Sequence, residues 1–168
     1  NRLERAKLAI ADCIERLEGD RVGLVVFAGT AAVKCPLTLD YGFFRMMLEE
    51  ISTDSIARPG TMIGDAIRRC LDEVFDDQAK QFKDIILITD GEESCKGDVK
   101  AAAKQIRASG LDVAVNIVGF TLIGKQTAAQ LTTLAEGTGG HYYAAQSGEA
   151  LARALLIAAV EKFPYVIT

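Results

Sequence analysis

The 168-residue sequence holds one histidine, His141, and four cysteines, Cys13, Cys35, Cys70 and Cys95, spaced far apart with no Cys-x-x-Cys pair. A structural zinc site needs closer spacing or more ligands, and a core of this size needs no disulfide staples. The cysteines therefore read as buried or incidental free thiols, with Cys95, in a polar loop, the most exposed. No nucleophile or carboxylate stands in a triad pattern with His141, which reads as a strand residue near a sheet edge. Basic residues are not in excess: 19 against 23 acidic ones give a net charge of −4. A general nucleic-acid binder, which needs a basic face to displace counterions, is ruled against. No apolar run approaches the length that spans a bilayer, so the chain as given is expected to be soluble, with no membrane span. Gly119-Phe120-Thr121-Leu122-Ile123-Gly124 follows a strand but is not Gly-x-Gly-x-x-Gly, and no P-loop motif occurs, so dinucleotide and P-loop readings fail. No period of 20–50 residues repeats. Asn1-Arg2-Leu3-Glu4-Arg5 is charged and enters a helical pattern at once, so it is no signal peptide; such a start suggests a natural chain that begins earlier.

What is present is a 49% hydrophobic, 25% charged chain of one-domain length. Apolar residues at 3, 6, 10, 13, 14 and 17 give a helical period ended by Gly19. Val22 to Ala28 is a nearly continuous apolar run, which predicts a strand covered on both faces. After Gly29, Thr30 to Cys35 predicts a hairpin partner that Pro36 ends or confines to an edge. Asp40 caps a helix with Phe43, Phe44, Met47, Leu48 and Ile51 as its stripe, and another helix begins at Thr61. Residues 84–90 and 111–119 predict buried strands and 141–144 a short one. Helices are predicted over 98–109, 126–136 and from Ser147 to about Lys162. Strands alternating with helices predict an α/β fold: a Rossmann-like, doubly wound, mostly parallel sheet with one antiparallel edge strand and helices on both faces.

Ligands of such sheets sit beyond the carboxyl ends of the strands. Two stretches fall there. Thr89-Asp90-Gly91-Glu92-Glu93 puts a carboxylate and a hydroxyl at a strand tip, donors suited to a hard divalent cation. Pro59-Gly60-Thr61-Met62-Ile63-Gly64-Asp65 offers a hydroxyl near a helix start. Taken singly, each has a bland reading: Asp90 as a cap, Thr61 as an N-cap, Glu92 and Glu93 as loop solubilisers, and Asp72-Glu73 and Asp76-Asp77 as a solvated face.

Together the motifs resemble a von Willebrand factor A-type (VWA) domain. The resemblance rests on Arg21-Val-Gly-Leu-Val-Val-Phe-Ala-Gly29, Cys35-Pro-Leu-Thr-Leu-Asp-Tyr41, Gly60-Thr61-Met-Ile-Gly64-Asp-Ala-Ile67 and Leu87-Ile-Thr-Asp-Gly-Glu92. The first three are similar to bacterial aerotolerance-associated VWA proteins. Ile88 to Cys95, Asn116-Ile-Val-Gly-Phe120 and Leu134-Ala-Glu-Gly-Thr-Gly-Gly140 also resemble VWA proteins of the calcium-activated-channel-like type. The family holds Mg²⁺ or a similar ion, such as Mn²⁺, at a metal-ion-dependent adhesion site, completed by an acidic group of the partner. Thr61 and Asp90 match two of its ligands, with Gly60, Glu92 and Glu93 as the implied partner-binding rim. The chain departs from the pattern in having no Asp-x-Ser-x-Ser, which the family carries after a central strand ahead of the opening helix.

The expectation is thus one VWA-like domain over 1–168 that lacks the family's first strand. Three sources of that strand stay open: an upstream segment, a neighbouring chain, or Tyr165-Val166-Ile167-Thr168 after Pro164, so that residues 163–168 fill the slot. With two of the usual ligands, metal binding is expected to be weak or absent. The implied function is a non-enzymatic protein-interaction domain, with a partner offering an acidic side chain, in a bacterial cell-envelope assembly linked to MoxR-type AAA ATPases, the parent protein being membrane-tethered or periplasmic. The alternatives are a metal-assisted hydrolase using Asp90 and Glu92, or a permuted or engineered scaffold with no binding function.

Overall fold

The computed structural model describes residues 1–75, 82–91, 98–121 and 124–161. Helix α1 spans Arg2–Ile14, and the Asn1 side chain accepts the Glu4 N–H at its start. Strands β1 (Val22–Phe27) and β2 (Ala31–Thr38) form an antiparallel hairpin. Helix α2 (Tyr41–Glu49) follows, with the Asp40 carboxylate accepting the Phe43 N–H, a cap that contributes about 1 kcal/mol. Helix α3 (Ile63–Arg69) continues into a wider π-helical turn, Cys70–Val74. Then come β3 (Lys83–Thr89), α4 (Asp98–Ser109), β4 (Val113–Phe120), α5 (Lys125–Gly137), β5 (Tyr142–Ala145) and α6 (Gly148–Leu156), the last capped by Ser147 and continued by a π-helical turn, Ile157–Glu161. The architecture is the expected α/β order with helices on two faces.

The sheet is in two pieces. Strands β3, β4 and β5 pair in parallel, in that order, and β1 pairs with β2 alone. Both β1 and β3 run toward the same end of the molecule. The Ala28 carbonyl after β1 accepts the Met62 N–H, and Thr61 next to it lies against Gly91, just past β3. One face of the three-stranded sheet carries α3, α4 and α5, packed through Ile67, Ile106, Leu131 and Leu134 onto Ile85, Val115 and Ile117. The opposite face carries α1 and α6, packed through Cys13 and Leu155 onto Val118 and Phe120. Ile10 of α1 and Leu17, just beyond that helix, also touch the hairpin's own core around Cys35, Phe44 and Leu48.

Several local expectations are corrected. The expected double coverage holds for β4, buried along its whole length, but β1 is only half-buried at every position, because no third strand flanks it among the described residues. Of the two readings of Pro36, the edge position holds: strand β2 runs through it to Thr38. The ring is tolerated because β2 is an edge, where one side of the strand forms no ladder. The third helix starts at Ile63 and not at Thr61, and its N-cap, Met62, makes no side-chain cap bond. Cys13 and Cys35 are buried, Cys70 is half-buried, and all three are free thiols; burial pushes the Cys70 thiol up to about 12, which keeps it protonated and unreactive at neutral pH. Cys95, Asp76, Asp77, Glu92, Glu93 and residues 163–168 lie outside the described residues.

Candidate functional site

The carboxyl ends of β1 and β3 meet two loops. At the end of β3, Thr89 is buried, and its hydroxyl accepts the Gly91 N–H at 3.3 Å and lies 3.2 Å from the Gly91 carbonyl. This tight turn projects Asp90 outward, with half of its side chain exposed. A methyl group at Gly91 would stand 2.9 Å from Thr61 Oγ1, so the absence of a side chain there is what lets the Thr61 hydroxyl approach the Asp90 turn. Thr61 thus lies against the turn that carries Asp90, 29 positions later in the sequence. Gly60, with a φ of +126°, is exposed on the loop just before Thr61, in a conformation that a side chain would strain.

Two further residues complete the arrangement, and sequence reasoning assigned a role to neither. The Arg2 guanidinium lies 2.8 Å from Asp90 Oδ2, giving the carboxylate an opposite charge from the first turn of α1. No local pattern announces a pairing across 88 positions. Asp65, in the first turn of α3, ties that helix to the hairpin. Its Oδ2 accepts the Ala31 N–H at 2.8 Å and the Thr30 hydroxyl at 3.3 Å, and its Oδ1 faces Arg68 at 3.3 Å. Burial pushes this carboxyl up, but the Ala31 N–H, Arg68 and Arg69 outweigh it, and the net shift is below the ordinary carboxylate range. An acidic residue in a first helical turn was the available signal. Asp65 therefore fixes the hairpin turn against α3 and so holds the loop that carries Thr61.

His141 is exposed and directly precedes β5, an edge strand. Its backbone N–H donates to Asn116 Oδ1 at 3.0 Å, and its ring meets Tyr143 edge-on. It lies with β5, across β4 from the Asp90 strand. Among the described residues, no three His, Cys, Asp or Glu side chains gather in a group that could hold a metal ion. No helix of the described residues is long and apolar enough to cross a membrane.

A second feature lies between the half-sheets. Strands β1 and β3 line the two sides of a cleft of about 620 Å³, with α1 on one face and α3 and its π-helical turn on the other.

Known proteins share this arrangement. An aerotolerance-related membrane protein from Bacteroides fragilis, carrying multiple mutations to serine, superimposes with a TM-score of 0.77 at 30% identity, over 96% of this chain and 89% of that one. Proximal thread matrix protein 1 from the mussel byssus, solved with zinc in its metal-ion-dependent adhesion motif, shares the fold at 19% identity, with a TM-score of 0.74 over 90% of this chain and 38% of that one. The uncharacterized protein YwmD of Bacillus subtilis is 40% identical over 77 residues, which cover 46% of this chain and 33% of YwmD. This chain spans about a third of the length of the curated relatives it matches. The model of the von Willebrand factor type A domain matches residues 1–155, and with the sheet order and the Thr61–Asp90 corner already described, the chain belongs to the VWA domain family.

Proposed function

We propose that the carboxyl end of the sheet is a protein-docking surface, non-enzymatic, built on a partial metal-ion-dependent adhesion site formed by Thr61 and Asp90, with Gly60, Glu92 and Glu93 at its rim. VWA domains as a class mediate protein interactions. The observation that carries the reading is the corner itself: past the strand ends the Thr61 hydroxyl lies against Gly91, in the turn from which Asp90 projects. The donor set does not fit a complete Mg²⁺ or Mn²⁺ site. Mg²⁺ requires near-ideal octahedral oxygen coordination, and one half-exposed carboxylate with one hydroxyl falls well short. Asp90 is moreover already paired with Arg2, whose guanidinium holds positive charge where the family would use an ion. In this reading a partner's acidic side chain meets Arg2 and the Thr61 hydroxyl. The likeness to an aerotolerance-related membrane protein supports a place in a bacterial envelope assembly, and the family resemblance extends this to one linked to an AAA ATPase. The hydrolase alternative gains no support from the described residues, and Glu92, the second residue it would use, lies outside them.

Calorimetric titration with Mg²⁺ and Mn²⁺ tests the proposal. This chain should bind either ion with a Kd of about a millimolar or weaker. A chain with an Asp-x-Ser-x-Ser strand joined ahead of Asn1 should bind clearly more tightly, and Asp90→Ala should abolish the gain. Tight binding by the present chain would overturn the partial-site reading. Metal-dependent phosphoester hydrolysis lost in Asp90→Ala would overturn the non-enzymatic one.

A further inference from the structure

Thr61 stands in a loop that the hairpin turn grips from behind. The Gly29 N–H donates to the Arg58 carbonyl at 2.9 Å, and the Met62 N–H donates to the Ala28 carbonyl at 2.8 Å. Only Pro59, Gly60 and Thr61 lie between these two anchor points. The Ala28 N–H in turn donates to the Thr30 carbonyl at 2.8 Å, which closes the turn on itself. So short a span, bonded at both ends, has little freedom, and the Pro59 ring fixes one more backbone rotation within it.

Gly29 is buried at the tightest point of this contact. A Cβ there would stand 2.1 Å from the Pro59 carbonyl oxygen, 2.9 Å from the Pro59 carbonyl carbon and 2.8 Å from Arg58 Cγ. The Arg58 side chain can swing aside, but the Pro59 carbonyl is backbone. Among the described glycines, Gly19, Gly60, Gly110 and Gly139 have a positive φ and Gly29 does not. Space, and not an unusual conformation, is what demands glycine at this position. To reach ordinary contact, the Pro59 carbonyl would have to retreat by more than about 1 Å. The turn cannot yield in its place, because Asp65 holds the Ala31 N–H and the Thr30 hydroxyl. The displacement therefore passes to the loop, two residues before Thr61.

We propose that Gly29 is a positioning residue of the docking corner. It lets the hairpin turn meet Pro59 backbone to backbone, and that contact sets where the Thr61 hydroxyl stands against Gly91. The inference rests on the reading of this corner as a surface for a partner's carboxylate. An O–H···O bond spans only about 2.5–3.0 Å, so a loop moved by about 1 Å takes the hydroxyl out of reach of such a group.

NMR of the parent, Gly29→Ala and Gly137→Ala, without added metal, tests the proposal. Gly137, at the end of α5, has nothing within 4 Å of an added Cβ, so its substitution is the silent control. The parent and Gly137→Ala should both show a contact from the Thr61 side chain to Gly91. Gly29→Ala should lose it, with amide shift changes concentrated in residues 58–62 and 89–91 and the amides of β4 and β5 unmoved. A Thr61–Gly91 contact that survives in Gly29→Ala, or shift changes spread evenly over all the strands, would overturn the proposal. A measurement on the unaltered chain does not depend on whether the variant folds. Its Gly29 and Met62 amides should exchange at least about tenfold more slowly than that of exposed Thr53, and equal rates would overturn the proposal. Acetate, the simplest carboxylate probe, separates this inference from the docking reading. Titrated into the parent, it should shift the Thr61 and Gly91 amides, and its affinity should fall about tenfold in Gly29→Ala. Equal affinity in both would overturn the positioning role. A parent that ignores acetate, while Gly29→Ala still loses the Thr61–Gly91 contact, would sink the docking reading and leave Gly29 as the residue that places Thr61.

Discussion

Strands β4 and β1 have similar sequences and different surroundings. Val-Ala-Val-Asn-Ile-Val-Gly-Phe of β4 is buried at all eight positions, whereas Val-Gly-Leu-Val-Val-Phe of β1 is half-buried at all six. The difference is one of neighbours. Strand β4 has β3 and β5 at its edges and helices on both faces, while β1 has β2 on one side and the cleft on the other. An apolar run states that a strand can be covered, and the strands beside it decide whether it is.

The widest gap expected from this contrast is between core truncations in the two halves. Ile117→Ala, at a fully buried site in β4, should cost about 3–4 kcal/mol, and Leu24→Ala in β1 only about 1 kcal/mol, in urea unfolding followed by circular dichroism. Equal losses would mean that β1 is as enclosed as β4 in solution. A smaller effect is expected where the halves are tied together. Asp65→Asn should cost about 1 kcal/mol at pH 7 through its bonds to Ala31 and Thr30. Because the Asp65 carboxyl sits below its ordinary value in the folded state, its contribution is complete above about pH 4 and is lost as the pH falls through the lower folded value. The gap between parent and variant should therefore close between about pH 4 and pH 2 in thermal unfolding; a gap that persists there would refute the ionic part of the tie. The smallest effect is expected at the docking corner. Arg2→Ala should change stability by no more than about 0.5 kcal/mol, since both partners of the Arg2–Asp90 pair are at least half exposed. A larger loss in the same unfolding assay would make the pair structural.

Much of this fold was legible in the sequence. The capping residues Asp40 and Ser147 stood where the helices begin, and the apolar runs of β3 and β4 stood where those two paired strands lie. What was not legible depended on contacts between distant residues. Pro36 leaves a strand end and an edge position both open until the pairing of β2 decides between them, and Thr61 reads as a cap until Asp65 is seen to draw the hairpin turn onto α3. Thr121, the only described non-glycine residue with a positive φ, at +79°, gave no local warning either. Its N–H is held by the Ala145 carbonyl across the sheet, which fixes a backbone that a β-branched side chain disfavours. Of the candidate site, Thr61 and Asp90 were identified from motifs, while the pairing with Arg2 required the fold.

The cleft also has a mechanical meaning. Where parallel strands are bonded side by side, a load pulling along them is shared by a whole ladder of hydrogen bonds that must be sheared together. Between β1 and β3 no such ladder exists among the described residues, and force crosses the gap only through the side-chain packing of α1 and α3. Pulled apart, the described part of the chain would separate along this seam before either half-sheet tears, and any strand seated there would turn its weakest line into two load-bearing ladders.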